Sequence, residues 1–226
     1  MVRRQVVDLK QIDEISDFWD VLTEEEREYF SSNSIIQHYK KNELIHSEGD
    51  TPAYMMILVK GKVKIYKEGV GGRCQIIRMM KPVEYFGYRA IFAESTYNTN
   101  ASAFEPSSVY LVPRDVILNL LQSNAQLSFF FVKKLSLDLG ASDARTVNLT
   151  QKHIRGRLAE SLLFLKENYG LEEDGATISI YLSREDIANL SNMTTSNAIR
   201  TLSNFANDKT SNAIAEYRTI SLNPRR

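Results

Sequence analysis

The sequence has a single cysteine, Cys74, so it can form no internal disulfide and no metal cluster that needs four cysteine ligands. Long apolar runs are also missing: stretches such as residues 55–59 are much shorter than the roughly 18 residues of a membrane-spanning helix. The N-terminal region reaches Asp8 and Asp13 before any apolar stretch, unlike a secretory signal peptide. These absences predict a cytoplasmic protein without a membrane segment.

An excess of charge of one sign is absent as well, since 28 lysines and arginines balance 28 aspartates and glutamates. The overall charge therefore neither favours nor excludes a nucleic-acid partner. Hydrophobic residues form 43% of the chain, close to the average of globular proteins, which argues against a disordered chain. The placement of charges and the periodicity of apolar residues must distinguish the remaining classes.

The apolar pattern divides the chain into three parts. Residues 1–123 begin with two short helices, the second introduced by a capping box at Thr23, and continue from residue 35 as short alternating strands separated by turn residues. Residues 124–150 form a proline-free helical segment, and residues 151–226 form a second, mostly helical domain. The predicted fold class is α+β, with a β-sandwich or barrel before the long helix.

The helical segment 124–150 carries a heptad pattern. Its members follow one another at steps of four and three residues: Leu135, Leu139, Ser142, Thr146 and Leu149. Such spacing is typical of a coiled-coil seam between two subunits. The same spacing also fits an amphipathic helix that packs on its own domain, and the pattern alone leaves both interpretations open.

The C-terminal domain has the proportions of a helix-turn-helix. A helix over residues 151–169 precedes a strand over 177–182. Ser183 is then a natural N-cap for a short helix, and a second helix starts after Met193. The apolar residues that we expect to pack these two helices together are Ile187, Ala188, Ile199 and Leu202. Residues 214–222 are predicted to form a two-stranded ribbon.

The first turns of the second helix are rich in polar side chains that can bind DNA. They are Thr194, Thr195, Ser196, Asn197 and Arg200. Hydroxyl and amide groups reach base edges and phosphates from the major groove, and an arginine can bind guanine with two hydrogen bonds. The alternative is that these residues only cap the helix, with Thr194 or Thr195 as the N-cap, and face solvent.

Several short motifs, taken in order, match one family of bacterial proteins. In the strand region they are Glu48-Gly49-Asp50, Tyr54, Val59-Lys60-Gly61-Lys62-Val63, Gly72-Arg73 and Glu84-Tyr85-Phe86-Gly87. In the helical region they are Gly156-Arg157-Leu158-Ala159, Ser183-Arg184-Glu185-Asp186-Ile187-Ala188 and Thr194-Thr195-Ser196-Asn197-Ala198-Ile199-Arg200-Thr201-Leu202. With this set, nearly the whole chain resembles the transcription regulators of the cyclic-AMP receptor protein and fumarate–nitrate regulator (CRP/FNR) family.

The resemblance implies a cyclic-nucleotide-binding-like β-roll (a jelly roll), a long dimerisation helix and a winged helix-turn-helix. It implies a homodimer that binds a palindromic operator in double-stranded DNA and acts on RNA polymerase. The residues that it assigns to sequence recognition are Thr195, Ser196, Asn197 and Arg200, and Ser183 and Thr194 are further candidates for DNA contacts. Such a protein is not an enzyme.

The ligand pocket implied by the resemblance departs from the family pattern. Members that bind cyclic AMP use a cassette with a glycine and a glutamate at its start and an arginine near its end. The matching residues are Gly87, Tyr88, Arg89, Ala90, Tyr97, Asn98 and Thr99, and those matching adenine contacts on the long helix are Ser142 and Asp143. Tyr88 thus replaces the glutamate, and Tyr97 or Asn98 the arginine. Neither Tyr97 nor Asn98 can pair a buried phosphate with a positive charge. Only Arg89, from a shifted position, could replace the missing arginine. An unknown small molecule, rather than cyclic AMP, is the expected effector.

The sequence lacks the residue patterns that metal binding, haem binding and common enzyme mechanisms require. His38, His46 and His153 show no spacing typical of metal or haem ligands, and no Ser-His-Asp or P-loop motif is present. We therefore predict no metal, no cofactor and no enzymatic activity. The alternative function is a ligand-sensing or protein-interaction module with a decayed DNA-binding domain, because residues 208–212 are polar where the family has glycine and apolar residues before the wing.

Overall fold

The computed structural model describes residues 16–69, 72, 74–175 and 177–207. Its contacts divide the chain into two units. The first unit holds residues 1–67 and 77–140, and the second holds residues 68–76 and 141–226. One boundary between the units therefore falls inside the long helix.

Two short helices open the described part of the chain, α1 (Ser16–Trp19) and α2 (Glu24–Asn33). The predicted capping box is confirmed, because the Glu26 amide donates to Thr23 Oγ1 at 3.3 Å and the Thr23 amide donates to the Glu26 carboxylate at 2.9 Å. These bonds satisfy amide groups that the start of a helix otherwise leaves unpaired. The part of the predicted helices before residue 16 lies outside the described residues.

Within the described residues eight strands follow, consistent with the short strands that the alternating pattern predicts, and they form the two antiparallel sheets of a jelly roll. They are β1 (Ile35–Tyr39), β2 (Leu44–His46), β3 (Tyr54–Lys60), β4 (Val63–Glu68), β5 (Cys74–Met80), β6 (Tyr85–Phe86), β7 (Asn100–Ala103) and β8 (Ser107–Pro113). The strand orders are β1-β8-β3-β6 and β2-β7-β4-β5. At the centre of the first sheet, Ile57 lies opposite Tyr110 on one side and Tyr85 on the other. Their buried side chains belong to one hydrophobic cluster.

The turn between β3 and β4 requires glycine. Gly61 has a φ of +90°, and a Cβ atom there would lie 2.4 Å from Ser107 Oγ and 2.5 Å from the Pro106 carbonyl oxygen. Backbone in this region is strained for residues with a side chain, and the close approach leaves no space for one. The motif glycine at this position therefore serves the packing of the β-roll.

Three helices follow in the described part of the chain: α3 (Tyr88–Phe92), α4 (Arg114–Ser123) and the long α5 (Ala125–Gln151), which begins in the first unit and ends in the second. Helix α5 confirms the helix predicted over residues 124–150. Asn124 introduces it, because its Oδ1 accepts a hydrogen bond from the Leu127 amide at 2.9 Å. No helix among the described residues is both long and apolar enough to cross a membrane.

The second unit contains α6 (Ile154–Tyr169), α7 (Arg184–Leu190) and α8 (Thr195–Asn207). Its core is formed by apolar side chains from all three helices: Leu158, Leu162, Ile187, Ala188, Met193, Ala198 and Phe205. The strand predicted over residues 177–182 is wrong, since the chain there forms only an isolated bridge between Leu171 and Ile178. The predicted ribbon over 214–222 lies outside the described residues.

Candidate DNA-binding and effector sites

Both helices of the helix-turn-helix begin at the predicted caps. Ser183 Oγ accepts a hydrogen bond from the Asp186 amide at 3.0 Å, and the Asp186 carboxylate accepts one from the Ser183 amide at 3.2 Å. Thr194 Oγ1 accepts a hydrogen bond from the Asn197 amide at 3.3 Å. Thr194 rather than Thr195 is therefore the N-cap of α8, and the capping bonds fix where the exposed face of the helix starts.

The predicted recognition residues share the exposed side of α8. Thr195, Ser196 and Arg200 are exposed, whereas Asn197 is half-buried. The Arg200 Nη2 donates a hydrogen bond to the Asn197 side-chain oxygen at 3.0 Å. Because residues four apart lie on one helix face, Ser196 and Arg200 are neighbours on the protein surface. The guanidinium is thus held over the first turns of the helix, the part that enters the major groove in helix-turn-helix proteins.

The expected role of Ile199 is wrong. The side chains of α8 that are buried belong to Ala198, Thr201 and Phe205, and Leu202 packs partly against them. Ile199 is 40% exposed, because the buried stripe runs through residues 198, 201 and 205 and residue 199 lies about 120° around the helix from the centre of that stripe. Sequence reasoning also missed Ser203 and Asn204, which are exposed on α8. The seven-residue spacing from Ser196 to Ser203 would have identified the first of them.

A cavity of about 200 Å³ lies in the first unit, within the β-roll. All seven predicted cassette residues line it: Gly87, Tyr88, Arg89, Ala90, Tyr97, Asn98 and Thr99. Ser142 and Asp143 belong to the second unit and are exposed on α5. The structure therefore brings the cassette together around one cavity, and this volume is below the roughly 300 Å³ typical of the smallest ligand pockets.

The first cassette tyrosine joins the β-roll to the long helix. The buried Tyr88 hydroxyl donates a hydrogen bond to Asp138 Oδ2 at 2.8 Å, and Arg78 Nη1 donates to the same oxygen at 2.8 Å. Burial by itself would raise the pKa of Asp138, but the hydrogen bond and charge of Arg78, together with the Tyr88 hydroxyl, outweigh it and lower this pKa below the ordinary value. Asp138 is therefore ionised and held by two donors that line the cavity.

The first cassette position requires a glycine, Gly87, and Tyr97 near the end of the cassette forms an uncharged hydrogen bond. Gly87 has a φ of +80°, and a Cβ atom there would lie 2.4 Å from Met56 Cε and 3.1 Å from the Tyr54 carbonyl oxygen. Tyr97 donates its hydroxyl hydrogen to that same carbonyl at 3.2 Å. Burial raises the pKa of Tyr97 to about 12, so the phenol stays neutral at physiological pH.

The positive charges around the cavity are mostly paired within the protein. Lys67 Nζ donates to Glu48 Oε1 at 2.6 Å and to the Asn98 carbonyl at 3.2 Å, and Arg78 is bound to Asp138. Arg89 lies at the cavity but is exposed. A phosphate that is not bound by Arg89 would have to draw Lys67 or Arg78 away from its carboxylate, which opposes the binding of a nucleotide anion.

His46 forms part of the cavity wall as a neutral, buried ring. It is stacked on Tyr97 with ring centroids 3.8 Å apart. Burial lowers the pKa of His46 to about 4, although the nearby Asp50 and the backbone at Ser47 and Thr99 act in the opposite direction. The folded protein therefore binds this proton more weakly than the unfolded chain, whose histidines have a pKa near 6.5.

We expect His46 to make the stability of the β-roll pH-dependent. Its contribution is fully present above pH 6.5 and is lost as the pH falls towards about 4, a change of about 3 kcal/mol in the free energy of unfolding. Urea unfolding of the parent and of His46→Phe between these pH values should show a steeper loss in the parent. The control His38→Gln changes an exposed histidine and should keep the parent slope. Equal slopes for the parent and His46→Phe would contradict the assignment.

The predicted seam of α5 coincides only in part with its exposed apolar surface. Leu135 packs against the hydrophobic cluster of its own unit, and Leu149 is half-buried, so both are only partly exposed. Leu139 is 64% exposed, and Ser142 and Thr146 are exposed too. The other strongly exposed apolar side chains of α5 are Phe129, Val132, Leu137 and Val147.

One face of α5 collects most of these exposed apolar residues. At 3.6 residues per turn, Phe129, Val132, Leu139 and Val147 lie within an arc of about 80° around the helix axis. Leu137 lies outside this arc. We name the four residues the α5 apolar face. The sequence pattern missed it because Leu135, which packs against the protein's own core, continued the heptad.

Within the described residues, no group of three histidine, cysteine, aspartate or glutamate side chains is placed to hold a metal ion.

Comparison with known proteins identifies two modules. Residues 36–124 match the cyclic nucleotide-binding domain, and residues 156–225 match the Crp-like helix-turn-helix domain. The chain is 24% identical over 169 residues to a CRP-like cAMP-activated global transcriptional regulator of Mycobacterium tuberculosis, covering 74% of this chain and 75% of that protein. It is 25% identical to the anaerobic regulatory protein of Bacillus subtilis, covering 75% and 72% of the two chains.

Solved structures share the fold. The c-di-GMP responsive global regulator CLP of Xanthomonas campestris superposes with a TM-score of 0.70 at 18% identity, covering 80% of this chain and 91% of that one. Proteins of similar architecture thus include a cAMP-activated and a c-di-GMP responsive regulator.

Proposed function

Since the chain belongs to the CRP/FNR family of transcription regulators, we propose that it acts in the cytoplasm as a homodimer bound to a two-fold-symmetric operator in double-stranded DNA. The observation that carries this proposal is the exposed polar face at the start of α8, where Arg200 is held beside Ser196 and Asn197. Polar groups on the first turns of a helix are suited to reading base edges in the major groove. The bound dimer would act on RNA polymerase, and no enzymatic step is required.

The α5 apolar face supports the dimer. Exposed phenylalanine, valine and leucine side chains along one stripe of a long helix favour association with a second copy, since this removes apolar surface from water. A two-fold dimer would present two symmetry-related copies of α8, which fits a palindromic operator whose half-sites lie about one turn of DNA apart. This revises the predicted seam: Leu139 is retained, and Phe129, Val132 and Val147 take the place of Leu135 and Leu149.

The effector, in this proposal, is a small molecule other than cyclic AMP that fits the β-roll cavity. Tyr88 and Arg78 both line the cavity and both bind Asp138 of α5. An occupant that draws either donor away would weaken the hold on Asp138, and the long helix would shift. Ligand binding in the β-roll would in this way change the position of α5, the helix that we propose forms the dimer interface.

Cyclic AMP is expected not to bind. Tyr97 offers no positive charge at the arginine position, and Lys67 and Arg78 are already paired with carboxylates. Isothermal titration calorimetry with cyclic AMP should therefore show no heat of binding, while the cAMP-activated regulator of Mycobacterium tuberculosis provides the positive control. Micromolar affinity would refute this prediction. Its loss in Arg89→Gln would then identify Arg89 as the phosphate partner.

The proposed function as a whole is tested by selecting binding sites from random duplex DNA with the purified protein. Enrichment of one sequence supports a regulator. If no sequence is retained above non-specific background, the alternative of a module with a decayed DNA-binding domain gains support. Residues 208–212, which motivated that alternative, lie outside the described residues.

A further inference from the structure

A second cavity, of about 310 Å³, lies within the second unit among α5, α6 and the end of α7. Helix α5 contributes Arg145 and Leu149, α6 contributes Arg157 and Phe164, and Ser191 follows α7. Its volume is in the range that holds small molecules. None of the residues predicted to bind DNA or effector lines it.

Two residues that line this cavity each have a buried polar atom without a partner among the described residues. These atoms are Arg157 Nε and Ser191 Oγ. Ser191 is only 1% exposed. Buried polar groups are normally hydrogen-bonded, and leaving one unpaired is costly. A guanidinium Nε only donates and a hydroxyl can donate, so each of these atoms is suited to an oxygen-bearing acceptor group.

The positive charge of Arg157 favours an anionic acceptor. Its Nη1 donates to the Leu149 carbonyl at 3.5 Å, and the guanidinium forms no ion pair with a described carboxylate. Glu160 also lines the cavity but is paired with Lys152 at 2.5 Å, and Glu167 is exposed. An anion bound by Arg157 would therefore gain a charge-assisted hydrogen bond without breaking an ion pair.

The remaining wall is largely apolar, with Leu149, Leu163, Phe164 and Leu190. We propose that this cavity binds a small molecule that has one anionic head, a carboxylate or a phosphate, and a ring-sized apolar body. The head would meet Arg157 and Ser191, and the body would contact Phe164 and the leucines. Since Leu190 ends α7 and Ser191 follows it, the occupant would touch the turn that precedes α8.

Four probes at constant ionic strength test this inference with the full chain. Benzoate and phenyl phosphate carry both features, benzyl alcohol lacks the anion, and inorganic phosphate lacks the apolar body. Calorimetry and ¹H–¹⁵N spectra should show saturable binding of benzoate or phenyl phosphate, with shifts at Ser191 and along α6. Binding of benzyl alcohol and inorganic phosphate should be at least tenfold weaker. Whichever of benzoate and phenyl phosphate binds more tightly identifies the anionic head of the ligand as a carboxylate or a phosphate.

Two variants locate the probe. Arg157→Gln should weaken binding at least tenfold, and Ser191→Ala should weaken it several-fold and serves if Arg157→Gln does not fold. Arg184→Gln, which removes an exposed arginine outside the cavity, should bind like the parent. The inference is overturned if neither full probe binds saturably, if benzyl alcohol binds equally well, or if the cavity variants keep the parent affinity. No assay here contains DNA, so the result is independent of the proposed function.

Discussion

Replacing Val132 and Leu139 together with lysine is expected to convert the proposed dimer into a monomer. Both side chains are more than half exposed in the single chain and lie on the α5 apolar face. Around a two-fold axis each lysine would approach its own copy, so the variant loses apolar contact and gains repulsion between like charges. Operator affinity should fall by about a hundredfold or more, because the two half-sites are no longer bound by one linked molecule. Light scattering and DNA titration measure the two effects.

Leu137→Lys is the matched control for this variant. Leu137 is as exposed as Leu139, at 63% against 64%, but lies outside the apolar face on the same helix. The control should remain a dimer and keep its DNA affinity. If the double variant stays dimeric, or if Leu137→Lys dissociates the dimer, the dimer interface is not the α5 apolar face.

Arg200→Ala is expected to weaken binding to the selected operator tenfold or more, with little change in thermal stability. Arg200 is exposed and outside the core of the second unit, so its loss removes no buried contact. A bidentate arginine–base contact is worth about 1–3 kcal/mol of discrimination. Fluorescence anisotropy on operator and scrambled duplex at one salt concentration measures both affinities, and a melting curve measures the stability.

Two further variants separate charge from geometry. Arg200→Lys keeps the charge but loses the two-pronged donor, so it should retain binding to scrambled DNA and lose preference for the operator. Arg184→Ala removes an exposed arginine at the start of α7 and should weaken binding to all duplexes evenly if that arginine contacts only phosphate. Unchanged operator affinity in Arg200→Ala would show that α8 does not read the sequence through this residue.

Local signals predicted most of the fold. The capping residues Thr23 and Ser183 predicted the starts of two helices, because a capping side chain forms its hydrogen bonds with residues close to it in the sequence. The alternation of apolar residues predicted a β-sandwich or barrel, which the resemblance narrowed to a β-roll, and the absence of proline predicted α5. The strand over 177–182 was wrong because a strand requires a partner, and only Leu171 pairs there, through a single bridge.

The details of the sites depended on contacts that the sequence does not encode locally. The cassette residues line one cavity as the resemblance implied, but the binding of Tyr88 to Asp138 joins residues 50 positions apart. Likewise, Leu135 fitted the heptad as well as Leu139 did, and only packing distinguishes the core-facing leucine from the exposed one. Helical spacing also grouped Ile199 with Leu202 as a core residue, whereas the packing of α8 leaves Ile199 exposed.

The central claim, that the chain reads DNA sequence as a two-fold dimer through α8, is tested most directly by one comparison. The parent protein and Arg200→Ala each select binding sites from the same random duplex library. We predict that the parent enriches a palindrome with half-sites about 10 base pairs apart, and that the variant loses preference at the same position in both half-sites. Enrichment of no symmetric site by the parent, or of the same site with the same preferences by both proteins, would contradict the claim.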